Sequence, residues 1–169
     1  MHPRLILEWL PGRYAVCGLD PHVRPDSPVW STLTTLLATT FSHSQECENV
    51  VAGARNRPES LFACIATDRE LSIVLDQSLV PDLLSRNHAM KVEKGFVAMR
   101  VVGTLDFSLV GVLARLTTAL AQASVSVFAI STYQTDILLV RQSDAAATYQ
   151  ALRNVCEIQP PPSGLAKPI

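Results

Sequence analysis

The chain has no cluster of lysine and arginine anywhere along its 169 residues, and its net charge is −1. An electrostatic nucleic-acid surface needs such a cluster, so nucleic acid is not an expected partner. A membrane span needs about 18 uncharged residues in a row. No predominantly apolar stretch of that length is present, and Arg115 interrupts the best candidate. The N-terminal MHPRLILEWLPGRYAVC has a short apolar run broken by Glu8, with no small-residue cleavage site after it. It does not read as a signal peptide, so the cytosol is the expected address and no membrane partner is expected. Cysteine is sparse as well. Cys17, Cys47, Cys64 and Cys156 are far apart and form no CxxC pair, which reads as free thiols in a reducing compartment. His2, His22, His43 and His88 are scattered, without HExxH or Cys–His metal spacing. The seven glycines stand singly, so no loop cradles phosphate. Cys17, Asp20 and His22 are close in sequence, but a strand thiol followed by a loop histidine is an ordinary pattern. No enzyme activity, cofactor or metal is expected.

What is present is a globular chain, 48% apolar and 17% charged, long enough for one ordinary domain or two small ones. Residues 4–19 read as two short strands joined at Pro11-Gly12, a turn dipeptide. DPHVRPDSPVWS (20–31) should be irregular, and TLTTLLATT is a weak helix because of its threonines. The polar stretch to Pro58 reads as an exposed insertion, about 31–58 overall. LFACIAT and ELSIVLD form a hairpin around TDRE, and a polar connection then runs to a domain boundary near Lys94.

The second half is cleaner. FVAMRVVG (96–103) is a strand, and LVGVLARLTTALAQA (109–123) a helix with Leu109, Val112 or Leu113, Leu116 and Leu120 on one stripe. VSVFAIST and DILLVR form a hairpin. Ser143 is placed to cap a helix DAAATYQALR with Ala145, Tyr149 and Leu152 on one side, and VCEI is a last strand. Strand, helix, strand, strand, helix, strand closes into a four-stranded antiparallel sheet with two helices on one face. Its strands are apolar on both sides, so the other face should also be covered. IATDRELSIV (65–74) echoes ISTYQTDILLV (130–140) with a shorter turn, which places Glu70 and Asp136 alike and suggests a duplicated fold.

GTLDFSLVGVLARLTTALAQASVSVFAISTYQTDILLV (103–140) resembles the corresponding stretch of the amino-acid-binding ACT domains, and is most similar to their CASTOR-type branch. LEWLPGRYAVCGLD and TDRELSIV resemble the abbreviated first half of that branch, so the likeness covers roughly 1–20, 61–81 and 95–152. The resemblance implies an α+β chain of tandem ferredoxin-like (ACT-like, βαββαβ) domains. The first, 1–94, is abbreviated and carries the insertion; the second spans 95–159, with a flexible tail at 160–169. It also implies a free amino acid or similar small ligand at a domain interface, and a homodimer or partner protein as what is regulated. The positions that match the ligand-holding ones are Gly111 with Val112, and Thr135 with Asp136.

The residues themselves suit such a ligand. A helix opening offers unpaired amides and partial positive charge to a carboxylate. With Ser108 as cap, Gly111 falls in the first turn, where it lets a ligand approach the backbone. Asp136 suits an ammonium or guanidinium, while Ser131 and Thr132 supply neutral hydrogen bonds. Each also has an ordinary use: Gly111 in close packing, Asp136 in capping its own hairpin, Asp106 in stabilising the helix start. The competing reading is an interaction module that keeps the fold and has lost the pocket.

Overall fold

The computed structural model describes residues 5–20, 28–41, 61–85 and 90–164. All four histidines, Cys47 and most of the expected insertion lie outside these residues. The chain falls into two compact units, residues 1–13 with 95–169, and residues 14–94.

The first unit is built on β1 (Ile6–Trp9), β5 (Lys91–Val101, of which 95–101 belong here), α3 (Val112–Gln122), β6 (Val127–Ser131), β7 (Asp136–Arg141), α4 (Ala145–Leu152) and β8 (Glu157–Ile158). Its strands run in the order β6-β7-β5-β1-β8. From β5 onward the order is the expected strand, helix, strand, strand, helix, strand. The sheet, however, is not four-stranded and antiparallel. β1, which the sequence reading grouped with the first half, lies between β5 and β8, antiparallel to one (Leu7 opposite Val101) and parallel to the other (Leu7 opposite Ile158). It fits there because Leu5 and Leu7 alternate with exposed Ile6, so one side is apolar and joins the core with Val97, Met99, Val101, Leu116, Leu120, Leu138 and Val140. Two polar contacts fix its register. Arg100 Nε donates to Glu8 at 2.9 Å in a cross-strand ion pair, and Trp9 Nε1 donates to the Gln159 carbonyl at 3.0 Å.

All residues from Asp136 to Val140 are buried, so β7 is covered on both faces, as its continuous apolar run suggests. Helix α3 begins at Val112, later than the periodic stripe indicates, and Leu109 lies before it, partly exposed. Ser143 does not cap α4. It sits in a 3-10 turn (Gln142–Asp144), where its hydroxyl donates to Asp144 Oδ1 at 3.1 Å.

The second unit contains β2 (Tyr14–Leu19), α1 (Pro28–Phe41), β3 (Ala63–Ala66), β4 (Leu71–Asp76), α2 (Val80–Leu84) and the first residues of β5. β2 and β3 flank β4, both antiparallel to it. α1 extends the weakly marked threonine-rich segment to both sides, so the first part of the expected irregular insertion is helical. Thr34 and Thr35 return their hydroxyls to the carbonyls of Trp30 and Ser31, which lets threonine sit in a helix without an unpaired donor. The core here gathers Ala15, Cys17, Leu33, Leu71, Ile73, Leu75, Val80 and Leu83.

One buried polar atom in the first unit lacks a partner among the described residues. Thr148 is fully buried on α4, and its Oγ1 makes no hydrogen bond. An unpaired buried hydroxyl retains its desolvation cost, about 1–3 kcal/mol. Thr148→Val keeps the branched shape and removes the hydroxyl, and is expected to raise stability by about 1 kcal/mol or more in urea unfolding. Equal or lower stability would show that the hydroxyl is satisfied in solution.

Candidate functional site

Two hairpin turns share one construction. In the first unit Thr132 N donates to the Thr135 carbonyl at 2.8 Å, Thr132 Oγ1 donates to the same oxygen at 2.8 Å, and Thr135 N donates to Thr132 Oγ1 at 3.1 Å. In the second unit Thr67 and Glu70 make the same three contacts at 2.9, 3.2 and 3.1 Å. The turns are of equal length, so residues 65–78 and 130–143 align without a gap and share Ile, Thr, Gln and Ser. That corrects the expected equivalence of Glu70 and Asp136. Glu70 corresponds to Thr135. The first strand pair beyond the turn is Ala66 with Leu71 in one unit and Ser131 with Asp136 in the other, so Leu71 stands where Asp136 does.

Asp136 therefore opens a strand that is otherwise apolar, and it is 9% exposed. A carboxylate this buried needs donors. Ser131 Oγ donates to its Oδ1 at 2.6 Å, and among the described residues no cation pairs with it. Thr135 is committed differently, since its Oγ1 donates to the Val101 carbonyl at 2.6 Å and ties the turn to the end of β5.

The other wall comes from the connection between β5 and α3. Ser108 is not the helix cap. Ser108 N donates to Asp106 Oδ1 at 2.8 Å and Leu109 N to the Asp106 carbonyl at 2.9 Å, an Asx turn that precedes the helix. The Ser108 hydroxyl, then its amide, holds the Asp106 carboxyl below the usual 3.8. Asp106 thus supports this turn and not the helix start. The N-cap is Gly111, left-handed at φ +83°, a conformation that costs a residue with a Cβ about 1–2 kcal/mol. The first intrahelical bond runs from Arg115 N to the Gly111 carbonyl at 3.0 Å. The amides of Val112, Leu113 and Ala114 come before it and form the positive end of the helix dipole.

A cavity of about 350 Å³ lies between these walls, lined by Gly111, Val112, Ser131, Thr135 and Asp136 among others. Ser108 lines a neighbouring groove of about 680 Å³ along α3, which shares Gly111 and Val112 and has Arg115 as its ionisable lining residue. All described lining residues of both belong to the first unit. The larger space has the less specific chemistry. In the smaller one Asp106 and Asp136 are the acidic lining residues, and among the described residues no Lys or Arg lines it. It offers backbone donors on one side and a buried carboxylate on the other. Two residues at its rim escaped the sequence reading. Phe107 and Tyr133 are 77% and 81% exposed and meet edge to face, ring centroids 5.2 Å apart. Each is an aromatic within a turn: Phe107 between Asp106 and Ser108, and Tyr133 inside STYQTD.

Residues 91–154 match the family model of the ACT domain. A search of curated proteins finds no match. Among solved structures, a protein from Agrobacterium tumefaciens is 22% identical, with a TM-score of 0.64 over 93% of each chain. The ligand-free regulatory subunit of aspartate kinase from Thermus thermophilus is 13% identical, with a TM-score of 0.56 over 92% of this chain and 99% of that one. Aspartate kinase from Clostridium acetobutylicum is 10% identical with a TM-score of 0.55, and the match covers 89% of this chain but only 33% of the kinase. The fold is thus the ACT-like, ferredoxin-type α+β fold.

Among the described residues, two of the three thiols are buried and poor nucleophiles. Cys17 is fully buried, and desolvation, partly offset by Lys94, lifts its pKa from 9.0 to about 11. Cys156 is lifted to about 11 by desolvation against a smaller opposing effect of Arg115. Cys64 is exposed, although partial desolvation raises it too. In iodoacetamide labelling of the native protein, mapped by mass spectrometry, Cys64 should react well before Cys17 and Cys156. The raised thiols favour the folded state below pH 9.0, where they are protonated in both states. That contribution is lost between 9.0 and about 11, because the unfolded chain ionises first. Rapid labelling of Cys17 at neutral pH would contradict this.

Proposed function

We propose that this chain is a non-enzymatic regulatory protein that holds a free amino acid, or a similar small zwitterion, in the cavity between the start of α3 and the β6–β7 turn. The observation that carries the reading is the meeting of two unlike features in one space: a helix opening behind Gly111 and a nearly buried Asp136 with no cationic partner among the described residues. The amides of Val112 and its neighbours would donate to the ligand carboxylate, where fixed dipoles need no reorganisation. Asp136 would receive the ammonium, and the Ser131 hydroxyl bond keeps the carboxylate oriented. Thr135 acts on the site's shape, through its bond to the Val101 carbonyl. Gly111 keeps the approach to the amides clear, since a Cβ there would meet no described atom within 4 Å beyond its own chain neighbours.

The match to the ACT domain family supports this reading, as do the CASTOR-type resemblance of 103–140 and the regulatory aspartate kinase chains among the structural relatives. Binding would act by shifting populations, ordering the 102–111 connection against the hairpin and so altering what a partner meets. The second reading, an interaction module without a ligand, draws on Phe107, Val110 and Tyr133, which are 77%, 89% and 81% exposed.

Isothermal calorimetry against a panel of free amino acids distinguishes the two. At least one should bind with one-to-one stoichiometry. Asp136→Asn keeps the shape and removes the charge, and should weaken that binding roughly 10- to 100-fold, as loss of a charge-assisted hydrogen bond does. Absence of heat with every amino acid at millimolar concentration would remove the sensor reading and leave the interaction module.

A further inference from the structure

An amino acid with its carboxylate on the α3 amides and its ammonium on Asp136 leaves its side chain to the rest of the cavity lining. That remainder includes Leu105, Asp106 and Phe107 from the β5–α3 connection, and Tyr133 and Gln134 from the β6–β7 turn. Asp106 is the acidic residue of these five. Its side chain is exposed, and its donors are the Ser108 hydroxyl and amide, both neutral. Neutral donors favour the ionised carboxylate and fix it in place, but they do not cancel its charge.

The position of that charge is set before any ligand arrives. Leu105 N, just before it, donates to the Gln134 carbonyl at 2.7 Å, and Phe107, just after it, meets Tyr133 edge to face at 5.2 Å. Both neighbours of Asp106 are thus braced against the opposite wall. The Asx turn itself accepts asparagine as readily as aspartate, because it uses one side-chain oxygen as an acceptor. The negative charge is the part of Asp106 that the turn does not use.

We propose that Asp106 is a specificity-determining residue of this cavity, and that its charge turns away amino acids with an acidic side chain. The inference rests on the ligand reading above and narrows it to amino acids whose side chain carries no negative charge. At the α-carbon end the charges balance, with the carboxylate on the helix dipole and the ammonium on Asp136. A second carboxylate on the side chain meets no Lys or Arg in the described lining, and it is opposed by Asp106. Like charges in one small space disfavour binding, which is how a site rejects a ligand of matching shape. Because Asp106 is exposed, its repulsion acts through water and is screened by salt, so its share is several-fold and not a thousandfold.

Calorimetry on the full chain with aspartate against asparagine, and glutamate against glutamine, compares ligands of nearly equal size that differ in charge. At low salt the amide of each pair should bind about tenfold more tightly or better. That preference should shrink at about 1 M salt, where the screening length falls to about 3 Å. Asp106→Asn keeps the Asx turn and should cut the preference by about threefold or more, by raising the affinity of the acidic member. The salt series on the wild-type chain keeps the test open if that variant folds poorly. Acidic members that match their amides in the wild type, or that gain nothing from Asp106→Asn, would overturn this proposal and leave the ligand reading standing. Absence of binding by every amino acid would remove both.

Discussion

A strand buried on both faces has no room for a charge except at its ends, and β7 places Asp136 at its first position. Everything local follows from satisfying that carboxylate. The residue opposite it across the hairpin has to be a short donor, and Ser131 fills that role with a 2.6 Å bond. The turn between them has to hold still, which the three reciprocal bonds of Thr132 and Thr135 accomplish. The turn in turn needs an anchor, and Thr135 Oγ1 finds it on the Val101 carbonyl at the end of β5. Leu105 N adds a second tie, donating to the Gln134 carbonyl at 2.7 Å. A chain of short polar contacts therefore binds the hairpin to the connection that opens α3, and the cavity is the space this bracing leaves.

The repeated hairpin shows how little separates a structural turn from a candidate binding site. The Thr67 turn has the same bonds, length and strand register as the Thr132 turn. Where one has Ser131 and Asp136, the other has Ala66 and Leu71, an apolar pair that needs no donor and offers none. The fold tolerates both because the threonine bonds, not the first strand pair, carry the turn. A site grafted at that pair costs the scaffold little.

Much of this was legible in the residues, and the exceptions have physical causes. α3, the β6–β7 hairpin and α4 have local signals, and local signals survive into structure. The start of α3 was misplaced because Leu109 continues the apolar period while the backbone has already left it: the Asx turn at Asp106 and the left-handed Gly111 carry the chain into the helix later. The period reports which side chains are apolar; the turn bonds decide where the helix begins. β1 was misassigned for a different reason. RLILEW followed by Pro-Gly and RYAVCGL looks like a local strand pair, yet β1 finds both partners, β5 and β8, far along the chain. Pairing partners are a property of shape and register, which alternation alone does not encode. Among the expected site residues, Gly111, Val112, Ser131, Thr135 and Asp136 line one cavity, while Ser108 lines the groove beside it.

The placement of β1 also sets the order in which the chain can fold. The first unit is discontinuous: residues 14–94 lie in sequence between β1 and the rest of its sheet. Closing a long intervening segment costs only slowly more entropy as it lengthens, so the arrangement is affordable at equilibrium. Kinetically it delays the first unit, because non-local pairings form late. Leu5 and Leu7 leave the ribosome before their sheet partners at 95–101 and 157–158, which arrive after the whole second unit. The second unit has no such dependence, since its strands β2, β3 and β4 pair among themselves. It can therefore consolidate first and shorten the effective loop that β1 has to close. Of the two sequence-distant contacts that hold the register of β1, Glu8 meets Arg100 on β5, while Trp9 meets Gln159 just after β8.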